Sequence, residues 1–160
     1  MTSSSLSQDD QQPTTHNRVL VADADANTLA LYRQAFADQG CDLIEAMDGR
    51  DALTKALVRT PSLVMTELGL PLMDGFALCQ ILRRDRATAH VPIIVVTTAA
   101  RAAQSARLEA VGVDTVIVKP TTAAEIRDRA HAAIAKAGEL RNRSAAILKG
   151  RPVALSGGGS

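Results

Sequence analysis

The chain has 160 residues, room for one compact domain with tails and too few for two ordinary domains. Hydrophobic residues make up 46% but aromatics only 2%, so the core has to be assembled from Leu, Val, Ile and Ala. A formal net charge of +1 gives no overall electrostatic case for nucleic acid or an anionic membrane, and neither is an expected partner.

Residues 1–17 are rich in Ser, Thr, Gln and Asp and lack an apolar stretch. They predict a disordered tail with neither signal peptide nor membrane span, and a cytoplasmic protein. From residue 18 to about 137, short β-branched runs alternate with amphipathic stretches. The runs are "RVLVAD" (18–23), "CDLIEA" (41–46), "LVMTE" (63–67), "PIIVVT" (92–97) and "VDTVIV" (113–118). The spacing of Leu29, Tyr32 and Phe36 predicts a helix over 28–39, stopped by Gly40. A second helix is predicted over 50–59, between an Asp48 N-cap and Pro61. The stripe Phe76, Cys79, Leu82 predicts a third over 75–84. The Ala-rich stretch 100–110 predicts a fourth. Thr122-Ala-Ala-Glu125, a capping-box pattern, opens a fifth over 123–137. Cys41 and Cys79 have no metal-type spacing and read as small hydrophobes in a reducing compartment.

Five strands alternating with five helices predict a parallel sheet covered on both faces and joined by right-handed crossovers. The unbroken apolar runs "LVM" and "IIVV" are what a doubly covered sheet requires. Ligands of such folds sit at the carboxyl ends of the strands. The residues there are Asp23, Glu67, Thr97 and Lys119: two acids, a hydroxyl and a cation.

"VLVADADANT", "PSLVMTELGLPLMDG", "VPIIVVTTAA" and "GVDTVIVKP", in this order and each at a strand end, resemble the motifs of response-regulator receiver domains of two-component signalling. The resemblance covers residues 18 to about 137. It implies a flavodoxin-like (βα)5 doubly wound parallel sheet of order 2-1-3-4-5, in agreement with the pattern. It also implies that an aspartate ending the third strand takes a phosphoryl group from a sensor kinase. An acidic pair ending the first strand would bind Mg²⁺, and Thr and Lys would hold the phosphoryl oxygens.

Carried over residue by residue, the chain departs from that pattern. Asp23 falls on the first acid of the pair and Ala24 on the second, so a direct metal ligand is lost. Asp25 lies one place further, where a one-residue step turns the side chain elsewhere. Glu67 falls on the phosphoacceptor, Thr97 and Lys119 keep the hydroxyl and the cation, and Val116 replaces the aromatic switch. The resemblance also implies a cis peptide before Pro120.

A Glu carboxylate stands one methylene further out than an Asp, about 1.5 Å of bond length. Misplacing a reacting atom by about 1 Å costs on the order of 10²-fold in rate. Phosphoryl acceptance at Glu67 is therefore not expected, and the extra reach carries negative charge into the phosphoryl space, an imitation of the phosphorylated state. A plain salt bridge from Glu67 to Lys119 is the other reading. Asp23 and Glu67 with backbone carbonyls make at best a weak Mg²⁺ site, and no cofactor is required. Thr97 could equally cap the strand end. His16, His90 and His131 share no spacing, and Arg83, Arg84 and Arg86 read as a wet surface.

Beyond the receiver, Ile126, Ala130, Ala133, Ala137, Leu140, Ser144 and Ile147 alternate steps of four and three, the seam of a two-stranded coil. The seam is mostly small, and Gly138 costs about 1 kcal/mol inside a helix. The sequence thus predicts a helix end frayed after Ala137, with a homodimer through the last helix as the alternative. Residues 138–160 are too few for an output domain with its own core, and 152–160 read as a flexible end.

The resulting expectation is a non-enzymatic, stand-alone atypical receiver acting on signalling partners: a sensor kinase, another regulator or an output protein. Its rivals are a working phosphorelay receiver with an unconventional acceptor and a flavodoxin-like cofactor carrier. "DADANT" is too acidic for a flavin phosphate loop, and no Asp-x-His-x-x-Gly string for cobalamin occurs.

Overall fold

The β-branched runs form five strands in the computed structural model, which describes residues 16–158, with 150–158 by backbone alone. The elements are β1 (Arg18–Ala22), α1 (Ala26–Phe36), β2 (Asp42–Ala46), α2 (Gly49–Val58), β3 (Leu63–Thr66), α3 (Gly75–Arg84), β4 (Ile93–Thr97), α4 (Ala99–Ala102), α5 (Ser105–Ala110), β5 (Thr115–Val118) and α6 (Ala123–Gly158). The strands pair in parallel in the order β2-β1-β3-β4-β5, the expected flavodoxin-like arrangement. Every residue of β3 and β4 is buried, whereas the edge strand β2 is half-covered. Alternation along the strands separates two cores. Leu20, Ala22, Val64, Ile93 and Val95 face α2 and α3. Val19, Val21, Leu63, Met65, Ile94 and Val96 face α1 and α6.

Register brings the strand ends together. Ala22 stands beside Thr66, so Asp23 and Glu67 leave the sheet as neighbours, and the Glu67 amide donates to Ala22 O at 2.9 Å. Thr97 stands beside Val118, which places Lys119 next in line.

The caps fall on acids and a hydroxyl, which satisfy the first free amides of each helix. Asp25 caps α1, Asp48 caps α2 and Asp74 caps α3. The Thr122 hydroxyl accepts from the Glu125 amide at 3.1 Å, while the Glu125 carboxylate turns to the Thr121 hydroxyl at 2.8 Å.

Several expectations change. α1 stops at Phe36, short of Gly40, because Asp38 already takes the left-handed conformation (φ 60°). The stretch 100–110 is two short helices interrupted at Ala103-Gln104 rather than one. Leu108 alone among their residues is buried, too little apolar face to hold a continuous helix. α6 passes through Gly138 instead of fraying after Ala137, since residues 139–149 are rich in strong helix formers. The backbone stays helical to Gly158 where a flexible end was expected, and the local propensities do not account for it. His16 and Asn17, assigned to the tail, are tied to the fold: His16 Nδ1 lies 3.0 Å from Gly40 O, and Asn17 O accepts from the Asp42 amide at 2.8 Å. The rest of the expected tail, residues 1–15, and residues 159–160 lie outside the described residues.

Arg83 is no wet surface residue. Its guanidinium donates to Gly112 O at 2.8 and 3.0 Å, to Ala89 O at 3.1 Å, to Val91 O at 2.5 Å and to Asp114 at 2.9 Å. Asp114 in turn accepts from the Ile93 amide at 2.8 Å. The cluster ties the end of α3 to the starts of β4 and β5. No helix among the described residues is long and apolar enough to cross a membrane.

Candidate functional site

Four predicted residues meet at the carboxyl edge of the sheet. Asp23, Glu67 and Thr97 are 2%, 4% and 0% exposed. Lys119 Nζ donates to Asp23 Oδ2 and to Glu67 Oε2, each at 2.8 Å. Thr97 Oγ1 donates to Glu67 Oε1 in a short bond. The same oxygen accepts from the backbone amides of Leu68 at 2.6 Å and Gly69 at 3.2 Å. Asp23 Oδ1 accepts from the Asp25 amide at 2.8 Å. Glu67 thus stands at the centre of a closed set of donors.

Charge and hydrogen bonding set the protonation states. Burial pushes the Glu67 carboxyl up, but bonds from Lys119, Thr97 and the Gly69 and Leu68 amides more than reverse this and leave it below the ordinary Glu value. Burial likewise lowers Lys119, and Asp23 and Glu67 outweigh it, so its ammonium is held above the usual lysine value. At neutral pH the Glu67 carboxylate rests on the Lys119 ammonium.

Asp25, also predicted to belong to the acidic pocket, is exposed and directed elsewhere. Its Oδ1 accepts from the Asn27 amide at 3.0 Å and its Oδ2 from the Thr28 hydroxyl at 3.2 Å, the work of an N-cap. Ala24 is exposed at the pocket's edge. Val116 is half-buried and packs on the α2–α3 core. Lys119–Pro120 is cis.

Sequence reasoning missed four participants. The Leu68 and Gly69 amides left no signal in side-chain identity. Arg101 reaches across from α4: a Cβ on Gly69 would stand 2.6 to 2.9 Å from three atoms of its guanidinium, which therefore lies face-on against Gly69. The glycine at 69 was the readable trace of that approach. Tyr32, assigned to a helix stripe, is fully buried, and among the described residues its hydroxyl is the buried side-chain polar atom without a partner. Burial first, then Asp23 and Glu67, hold that hydroxyl well above the ordinary tyrosine value. Cys79 is inert by comparison, its thiol pushed up to about 12 by burial.

The response regulator receiver domain model matches residues 19–131. The chain is 30% identical over 123 residues to the DNA-binding dual master transcriptional regulator RpaA of Synechocystis sp., covering 77% of this chain and 51% of that protein. It is 28% identical over 110 residues to Protein PilG of Pseudomonas aeruginosa, covering 68% of this chain and 81% of PilG. The chain spans about half the length of the first curated relatives it matches. Among solved structures, the chemotaxis response regulator CheY4 of Vibrio cholerae superposes with a TM-score of 0.68 at 25% identity, covering 75% of this chain and 99% of CheY4. Sheet order, the acid–hydroxyl–lysine convergence and the family match agree: the chain belongs to the response regulator receiver domains of two-component signalling.

Proposed function

We infer that the chain is an atypical receiver whose phosphoacceptor pocket is filled from within, and that it signals by protein–protein contact independent of phosphorylation. One observation carries this reading. Glu67 already engages the Thr97 hydroxyl, the Lys119 ammonium and the Leu68 and Gly69 amides, the donors that a phosphoryl group at this strand end would need.

Three physical points support it. A carboxylate oxygen that accepts three hydrogen bonds is a poor nucleophile, since an attack on phosphorus has to give up those bonds first. The extra methylene of Glu displaces the reacting oxygen, a misplacement on the scale of 10²-fold in rate. The donor set does not fit Mg²⁺, which demands near-octahedral oxygen geometry. Asp23 and Glu67 both lie on Lys119, Ala24 brings no side-chain oxygen, and no group of three His, Cys, Asp or Glu among the described residues is placed to hold a metal. The partners are other signalling proteins, a sensor kinase, a regulator or an output protein, and the chain itself is not an enzyme.

Incubation with acetyl phosphate and Mg²⁺ should leave the intact mass unchanged, while Glu67→Asp combined with Ala24→Asp should gain one phosphoryl group. A stoichiometric phosphoryl adduct on the parent protein would overturn the reading.

A further inference from the structure

The receiver match ends at residue 131, whereas α6 continues to Gly158. The stretch of this helix beyond residue 131 is thus an addition to the matched domain. Ile126 and Ala130 are buried against the sheet, and Ala133 and Ile134 lie partly over the same core. The stripe then runs on past the edge of the domain as Ala137, Leu140, Ser144 and Leu148, with Leu140 53% and Leu148 69% exposed.

Between this stripe and the underside of the domain lies a groove of about 920 Å³. Its far wall is made by the segments that enter β4 and β5, with Ala89 and Pro92 in it. The Arg83 cluster holds that wall rigid. The groove is apolar along its floor and basic at its rim, where Lys136 and Arg141 stand. Arg143 and Lys149 follow on the same helix outside the groove's lining, and Glu139 is the single acid between residues 136 and 149. Among the described residues, none of these four cations is bridged to a carboxylate. Asp114, the acid inside the groove, is already held by Arg83 and the Ile93 amide.

This charge pattern decides against a second copy of α6 as occupant. With Ala137, Leu140 and Ser144 as seam, a parallel pair sets Lys136 of one helix against Arg141 of the other, like charge on like charge. Small Ala137 and polar Ser144 add little burial in return. An opposite charge on the incoming helix turns the same rim from a cost into a gain.

We propose that the groove between residues 133–148 of α6 and the underside of the sheet docks an amphipathic helix of another protein, one whose apolar face is flanked by Asp and Glu. The test uses the full chain and two fluorescent synthetic helical peptides with an identical Leu/Ala seam, one flanked by Glu and the other by Lys. The Glu peptide should bind at least tenfold more tightly, about what two surface ion pairs supply. Raising the salt from about 0.1 M to about 0.5 M should erode that preference. Leu140→Ser with Leu148→Ser should weaken binding tenfold or more through lost apolar burial. Lys136→Glu with Arg141→Glu should reverse the choice of peptide. All four side chains project from the domain, so an unchanged melting curve identifies folded variants. Equal binding of the two peptides, no binding at millimolar peptide or undiminished binding by the Leu variants would overturn the proposal. So would preferential binding to phosphatidylglycerol vesicles, or a stable dimer in solution that closes the groove.

Discussion

A carboxylate at the buried end of an apolar strand is destabilising unless its oxygens are answered, and at Glu67 the answer comes from two side chains and two amides. Its folded-state pKa lies below the ordinary value, so its stabilising contribution is present above the unfolded-state pKa and is lost as pH falls through the folded one. Lys119 has the opposite sign: its contribution is intact below the ordinary lysine value and disappears only as pH rises through its raised folded value. Glu67→Gln should therefore cost about 1–3 kcal/mol in urea unfolding at pH 7. That difference should shrink as the parent's own carboxyl protonates below about pH 4.3. A difference that stays constant down to pH 3 would mean that Glu67 carries no charge to lose. Tyr32 works in the other direction. A buried hydroxyl without a partner costs about 1–3 kcal/mol, so Tyr32→Phe should leave stability unchanged or raise it. A lower melting temperature for that variant would show that the hydroxyl has a partner after all.

At the scale of elements, hydrophobic spacing was enough wherever an element has a strongly buried face. α3, with Phe76, Leu78, Cys79 and Leu82 inside, lies at the residues that the stripe predicted. α4 and α5 have almost no such face, and there the Ala-rich sequence misled. One of their few anchors is Arg107, whose guanidinium carbon stands 3.8 Å from the centre of the Phe76 ring. Arg83 shows a second limit. Its role depends on carbonyls of Ala89, Val91 and Gly112, and backbone acceptors leave no mark in a side-chain pattern. Replacement by Ala strands these carbonyls and Asp114 together. Arg83→Ala should lower unfolding stability by about 2–4 kcal/mol, well above an ordinary surface change. A loss under 0.5 kcal/mol would return Arg83 to the solvated surface.

For the whole molecule, the site was legible because the fold was. Parallel strands put their carboxyl ends on one edge, so naming the residue that follows β1, β3 and β5 and the last residue of β4 amounted to naming the pocket. What the sequence left open between mimicry and a plain salt bridge was which donors converge on Glu67. The two amides beyond Lys119 and Thr97 come from the turn after β3, held by the Gly75 amide donating to Leu68 O at 2.8 Å. The length of α6 was equally hidden, because Gly138 weighs locally while its neighbours' propensities act along the whole helix. The most direct measurement is an amide NMR spectrum of the parent protein before and after addition of Mg²⁺ and beryllofluoride, a mimic of a bound phosphoryl group. With the donors already taken by Glu67, the Leu68, Gly69 and Lys119 resonances should not move, while those of Glu67→Asp with Ala24→Asp should. New resonances at these three positions in the parent would mean that the pocket is open to phosphate after all.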